Sequence, residues 1–233
     1  MAIPRNSFVL IDYVIRVKDT GELVDTSIEE IAKREGKYDP NKVYEPLLVI
    51  VGEGRLIPGL EEHIEKFGEV GKEFTIEIPP EKAYGPYDPK KRRLLSVREL
   101  LRYGIAPEVG KVVNLDGNVG VIKTVSGGRV LIDFNHPLAG KTLVCTYRIV
   151  KVIESDVEKV QYLLHRRYRR IPPDKFEVSI DEQNNEVKIV TPPEVLYDRD
   201  LQIVKVIVAE EIYRFLEKYS VVTYVDRFVR SGS

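Results

Sequence analysis

The sequence predicts an α+β protein: an antiparallel, strand-rich domain, a mostly β insert placed inside it, and a C-terminal α/β unit. Three features carry this prediction. Residues 8–78 hold short apolar runs joined at hairpin spacing around two short helical patterns. From Asp88 the character changes to a basic stretch, a brief amphipathic helix and three runs at meander spacing, before a long strand pattern returns at Thr142. From Ser155 the chain reads helix, hairpin, helix, strand.

Phe8 to Val17 is a β-rich run that Lys18-Asp19-Thr20-Gly21 turns into a second, Glu22 to Asp25. Ser27-Ile28-Glu29-Glu30 has the spacing of a capping box, and Gly36 suits the end of the short helix it would open. Pro46 to Val51 is apolar and enters the turn Gly52-Glu53-Gly54. Pro58 fits the first helical position, where its missing N–H costs nothing, and Leu60, Ile64 and Phe67 recur at i, i+4, i+7 before Gly68. Phe74 to Ile78 alternates as a half-buried strand does, and Pro79-Pro80 ends it.

Lys90 to Arg93 reads as a solvated linker edge leading to a helix from about Val97 to Tyr103. Val112 to Leu115, Val119 to Val125 and Arg129 to Phe134, separated by Asp116-Gly117-Asn118 and Gly127-Gly128, make the meander. Thr142 to Ile153 is a long strand. Ser155-Asp156-Val157-Glu158 is a second capping box, and Val157, Val160, Leu164, Tyr168 and Ile171 mark a helix face that Pro172-Pro173 stops. Phe176 to Ile180 and Glu186 to Val190 flank Gln183-Asn184-Asn185 as a hairpin; Leu201, Val204, Val208, Ile212, Phe215 and Tyr219 mark a long helix, and Val221 to Val229 a last strand. The expected division is 1–87 with 135–154, then 88–134, then 155–233 with a small core of its own.

At 233 residues the chain has room for one large domain or two to three small ones, and 43% hydrophobic with 31% charged residues is a globular composition. A formal net charge of -1 gives no overall attraction to nucleic acid or anionic lipid. No apolar run approaches the ~20 residues that cross a bilayer, and Met1 to Ser7 has no apolar core of the secretory kind, so a cytoplasmic protein without membrane contact is expected. A lone Cys145 excludes an intrachain disulfide and a multi-thiolate zinc site, and His63, His136 and His165 are scattered, so neither metal nor cofactor is expected. One Met, one Cys, no Trp and many charges of both signs resemble hyperthermophile compositions.

Val24-Asp25-Thr26-Ser27, then Gly52-Glu53-Gly54-Arg55-Leu56-Ile57-Pro58-Gly59-Leu60-Glu61, then Ala83-Tyr84-Gly85 stand in the order found in FKBP-type peptidyl-prolyl isomerases. Asn135-His136-Pro137-Leu138-Ala139-Gly140-Lys141-Thr142-Leu143 resembles the return from the inserted flap of SlyD-like members. The likeness covers roughly residues 5 to 154, and the remainder resembles the tail of long archaeal FKBPs. It implies an antiparallel sheet wrapped around the helix from Pro58 to Phe67, with an apolar cleft that receives a prolyl ring. By the same likeness Tyr13 and Asp25 flank the cleft, Ile57 offers its backbone N–H to a substrate carbonyl, and Tyr84 offers its hydroxyl. Val24 lines the cleft, Leu47, Val49, Leu56 and Leu60 make its walls and floor, and His136 and Cys145 belong to the substrate site. Cys145 stands where many relatives carry Phe, and Leu60 where several carry Trp, which leaves a roomier, less aromatic pocket. The implied activity is cis–trans isomerisation of X–Pro bonds in unfolded or partly folded proteins; a holdase with little catalysis is the alternative.

Without that likeness Tyr13 is a half-buried sheet aromatic, Asp25 opens a helix, Tyr84 anchors a loop and His136 is a turn residue. SlyD-like relatives bind unfolded chains through apolar residues of the insert. Here Leu94, Leu95, Val97, Leu100, Leu101, Tyr103 and Ile105 are more than a short helix can bury on a three-stranded sheet, unless they are the insert's whole core. Leu94, Leu95 and Leu101 are the expected client contacts. His165-Arg166-Arg167-Tyr168-Arg169-Arg170 ends a helix, where cations favour the dipole, and reads as a solvated face rather than a nucleic-acid or ribosome contact. The last helix and strand could pair with a copy, making a homodimer through the C-terminal unit.

Overall fold

The structure, a computed structural model, describes residues 3–228. Val229, with which the expected last strand closes, and the terminal Arg230–Ser233 lie outside the described residues.

The central strand is β1 (Phe8–Val17), antiparallel to three others. Along one edge its C-terminal half pairs β2 (Leu23–Thr26) and its N-terminal half pairs β3 (Leu47–Ile50). Along the other it pairs β9 (Leu143–Ile153) from Phe8↔Ile153 to Val17↔Leu143, and β4 (Glu73–Ile78) lies beyond, completing five strands. Between β2 and β3 a short helix, α1 (Glu29–Arg34), ends as expected at Gly36, whose φ of 66° lets Lys37 N–H reach the Ala32 carbonyl. The first capping box does not form: Ser27 Oγ accepts from Tyr13 N–H at 3.0 Å instead, holding the chain against β1.

Helix α2 (Pro58–Phe67) begins with Pro58 and buries Leu60 and Ile64 against the sheet. Gly59 allows this approach, since a Cβ there would stand 2.6 Å from Ile78 Cγ2. The expected apolar face stops at Ile64: Phe67 is 60% exposed and rests on the His63 ring, while Glu61 is buried in its place. Inward residues Val9, Ile11, Tyr13, Ile15 and Val17 of β1 join Leu60, Ile64, Cys145, Tyr147 and Ile149 in one core.

The insert contains a strand that the sequence reading missed. β5 (Arg92–Ser96) covers part of the basic run and pairs β8 (Arg129–Asp133), so β6 (Val112–Leu115), β7 (Asn118–Ser126), β8 and β5 form four strands rather than three. Helix α3 (Val97–Arg102) packs across them, opened by a capping box at Ser96 and Glu99. The buried cluster, Leu100, Val113, Leu115, Ile122, Val130 and Ile132, holds residues of the insert alone. Its two connections are tied together by Asn135, which exchanges hydrogen bonds of 2.9 Å with the Asp88 backbone, and by Tyr87 O–H to Asp133 Oδ2 at 2.8 Å.

The C-terminal unit follows the expected order: α4 (Asp156–His165), β10 (Glu177–Asp181), β11 (Glu186–Val190), α5 (Leu201–Phe215) and β12 (Val221–Val225). β12 runs parallel to β11 after the α5 crossover. Ser155 sits at the N-cap without a side-chain cap, and the Glu158 carboxylate that would complete the box is held by Lys151 instead. Helix α4 ends at His165, short of Tyr168 and Ile171, which pack from the turns that follow. The expectation of a separate small core is also corrected: Phe8, Leu10, Ile50 and Ile153 of the sheet are buried in the same cluster as Val160, Leu163, Phe176, Val208 and Ile212.

Candidate functional site

Tyr13 is placed by its own backbone. Its carbonyl accepts from Ser27 N–H at 3.1 Å and Thr26 Oγ1 at 2.8 Å, so β1 and the end of β2 are fixed where the side chain turns inward. Tyr13 O–H then donates to Asp25 Oδ2 at 2.7 Å. Asp25 Oδ1 accepts from Thr26 N–H at 2.9 Å and faces Lys42 Nζ, which also bonds the Thr26 carbonyl at 2.8 Å. Burial, and then the neighbouring carboxylate, push the Tyr13 phenol well above its ordinary range, so it stays a proton donor.

The apolar floor comes from three elements. Val49 of β3, Leu60 of α2 and Cys145 of β9 are buried beside Tyr13, while Val24, Leu47, Leu56 and Ile57 are half-buried and pack on the same cluster. Burial pushes the Cys145 thiol up to about 12, so it acts as a small apolar side chain and not a nucleophile. Ile57 sits at the N-cap of α2 with φ -60° and ψ 134°. Its carbonyl starts the helix by accepting from Leu60 and Glu61, and among the described residues its N–H has no protein partner. The loop before it is tied down by Gly54 N–H to Glu61 Oε1 at 2.9 Å, and Gly52 and Gly54 hold φ of 87° and 80°. Glu61 and Lys42 are supporting residues that sequence reasoning missed; Glu61 lay within the quoted motif, but its burial could not be read there.

Tyr84 and His136 come from opposite sides of the insert and stack, ring centroids 4.3 Å apart and planes 1° from parallel. His136 Nδ1 accepts from Leu138 N–H at 3.1 Å, which puts the ring proton on Nε2. Gly85 carbonyl accepts from Gly140 N–H at 2.8 Å, closing the two segments on each other. In the insert, Leu94 and Leu101 are 56% and 55% exposed, whereas Leu95 packs against the local core and Leu100 is buried within it. The aliphatic run is thus divided between core and surface.

The basic run is not a solvated face. His165 and Arg166 side chains are each 8% exposed, and the run is an ion-pair network reaching across the molecule: His165 and Arg169 to Glu45, Arg166 to Glu53 and Glu211, Arg167 to Glu211. His165 donates in two directions, Nε2 to Glu45 at 2.9 Å and Nδ1 to the Ile171 carbonyl at 2.7 Å, an arrangement that only the imidazolium satisfies. Among the described residues no helix is long and apolar enough to cross a membrane, and no group of three His, Cys, Asp or Glu is arranged to hold a metal ion.

Comparison with known proteins identifies the family. Residues 2–105 match the family described as FKBP-type peptidyl-prolyl cis-trans isomerase, residues 93–138 the FKBP26 IF domain, and residues 156–229 the FKBP26 C-terminal region. The short-type peptidyl-prolyl cis-trans isomerase of Methanocaldococcus jannaschii is 38% identical over 156 residues, 67% of this chain and 98% of that protein. The FKBP-type 16 kDa isomerase of Escherichia coli is 30% identical over 65% of this chain and 94% of its own length, and SlyD of Treponema pallidum 32% identical over 71% and 87%. The insert and the C-terminal unit each match an FKBP26 family model, and the chain belongs to the SlyD-like FKBP-type peptidyl-prolyl cis-trans isomerases.

Proposed function

We propose that Tyr13, Asp25, Ile57 and Tyr84 surround the prolyl cleft, that Val24, Leu47, Val49, Leu56, Leu60 and Cys145 line it with His136 behind Tyr84, and that the insert holds unfolded or partly folded clients through Leu94, Leu95 and Leu101. The observation that carries the reading is the Tyr13–Asp25 hydrogen bond beside an unpartnered Ile57 N–H, above a floor of buried aliphatic side chains.

Resonance holds the X–Pro amide planar against a barrier of ~18–20 kcal/mol. The planar amide is strongly polar, and much of that charge separation is lost as the bond twists. A dry apolar cleft therefore destabilises the planar state relative to the twisted one, without nucleophile or proton relay. Ile57 N–H anchors a substrate carbonyl so that only one side of the bond rotates. A thousandfold acceleration requires about 4 kcal/mol, which exclusion of water and one or two oriented donors can supply.

A protease-coupled assay on a short proline peptide, run beside proline-limited refolding of a protein, tests both halves. Deleting 88–134 is expected to spare the peptide and sharply lower refolding catalysis; equal loss on both removes the insert from the mechanism. The second reading, a holdase with little catalysis, is favoured by Leu60 and Cys145, which leave the cleft floor without an aromatic ring. It stands if aggregation is suppressed while the peptide is not turned over.

The C-terminal unit is proposed as a homodimer surface. On α5, Ile203, Val206 and Tyr213 lie at helical spacing and are 60%, 62% and 39% exposed. Light scattering that returns a monomer mass with or without residues 155–233 ends that proposal.

A further inference from the structure

Leu47, Val49 and Leu56, assigned above to the prolyl cleft, also line a second space: a cavity of about 220 Å³ between β3, the loop at 52–56 and α4. Its far side belongs to the C-terminal unit, through Tyr162, His165, Arg166 and Arg169. Leu47, Val49 and Leu56 are common to both, so the cavity adjoins the proposed cleft.

The carboxylates of this cavity are all engaged. Glu45 accepts from His165 and Arg169, Glu53 from Arg166, and Glu61 from the Gly54 N–H. Of the cations lining it, His165, Arg166 and Arg169 are paired with Glu45, Glu53 and Glu211, which leaves Arg55. Arg55 is 54% exposed and stands 4.0 Å from Glu53, a carboxylate that Arg166 already holds more closely. A guanidinium without a close carboxylate can form a charge-assisted pair with an acceptor brought by a ligand. Arg55 also immediately precedes Leu56 and Ile57, both assigned above to the proposed prolyl site.

We propose that this cavity is a second substrate subsite that takes the carboxylate of an aspartate or glutamate flanking the client's proline, with Arg55 as its pairing cation and the C-terminal unit as its far wall. The subsite rests on the prolyl site proposed above. It makes the C-terminal unit part of substrate selection.

The test titrates full-length protein calorimetrically with matched short peptides carrying Glu, Gln or Lys on either side of the proline, and assays the same peptides for isomerisation. The Glu peptide is expected to bind about tenfold more tightly than its Gln counterpart, as a charge-assisted pair should, with a lower KM, an advantage on one side of the proline, and a preference that shrinks as salt rises. In Arg55→Gln the Glu-to-Gln ratio is expected to fall toward one. Equal affinities for Glu and Gln peptides at low salt overturn the subsite and leave the prolyl site standing. A Glu preference undiminished in Arg55→Gln also overturns it. Failure of every peptide to bind overturns subsite and prolyl site together.

Discussion

Phe8, Leu10, Ile50 and Ile153 of the five-stranded sheet are buried in one cluster with the C-terminal helices, whereas the insert's buried cluster contains insert residues alone. The first junction is an apolar core overlaid with buried ion pairs; the second is two chain segments stitched by Asn135, Tyr87 and Asp133. Burial on both faces fixes one unit against the sheet, while an independent core frees the other to move on its connections. The difference separates two tasks. On the proposed reading, the C-terminal unit is a wall of a substrate site, which must hold still, and the insert is a surface that gathers irregular chains, which gains from reach.

The largest expected effect is at the shared core. Phe8 is fully buried and meets Phe215 edge to face with centroids 6.2 Å apart. Phe8→Ala is expected to cost about 3–5 kcal/mol and to weaken the isomerase sheet and the C-terminal unit together, in one denaturant transition followed by circular dichroism. Two resolved transitions, with catalysis surviving the first, would break the comparison. Ile132→Ala, in the insert's own core, is expected to cost about 2–5 kcal/mol locally. Hydrogen exchange should then rise in residues 92–133 while peptide isomerisation persists. Loss of protection throughout the sheet would show that the insert is not independent.

These two junctions were unequally legible in the sequence. Phe8-Val9-Leu10-Ile11 is continuously apolar, the mark of a strand covered on both faces, a signal that the expectation of a separate C-terminal core passed over. Along the rest of β1 burial alternates, although Tyr13-Val14-Ile15 is apolar throughout. The hairpins, the Pro58 start of α2 and the Gly36 stop were also readable, because each is set by residues a few positions apart. Capping boxes were not reliably so: Ser27 is captured by β1 and Glu158 by Lys151, whereas the unremarked Ser96-Val97-Arg98-Glu99 does form one. The pattern is necessary but tertiary partners decide. The arginine run was misread for the same reason. Arg166, Arg167 and Arg169 meet Glu53, Glu211 and Glu45, which lie 113, 44 and 124 positions away, and no local rule announces them. Of the site, Tyr13 with Asp25 and Tyr84 with His136 meet directly, and both pairs were named only through family likeness.

A smaller effect sharpens the claim that the rigid side does the chemistry. Ile57 already has the φ of proline, so Ile57→Pro removes its N–H with little strain there. Loss of about tenfold in kcat/KM, equivalent to about 1.4 kcal/mol, is expected with an unchanged melting temperature. Unchanged kinetics would take the substrate anchor away from Ile57. Tyr13→Phe leaves Asp25 its Thr26 and Lys42 partners and is expected to cost about 1 kcal/mol of stability.

The gentlest test of the C-terminal junction is pH. Burial disfavours the His165 charge, but hydrogen bonds to Glu45 and the Ile171 carbonyl outweigh it and raise its pKa above 6.5. Glu45 is lowered below 4.5 because His165 and Arg169 overcome the same burial. The neighbours at His165 are Glu45 before β3, Tyr162 one turn back on α4 and Arg169 in the turn that follows; the Tyr162 phenol is raised, away from this range. A raised histidine stabilises fully below its unfolded pKa and loses that contribution as pH climbs through the folded value. A lowered carboxylate stabilises above its unfolded pKa and loses its contribution as pH drops through the folded value. The pair therefore supports docking most between those two limits, with an alkaline limb due to His165 and an acid limb due to Glu45. Exchange protection of α4 amides, followed from pH 5 upward and corrected for the intrinsic rate, should decline as His165 deprotonates. His165→Gln should flatten that decline, because the replacement carries no charge to lose. A decline that survives His165→Gln would assign the alkaline limb to another group.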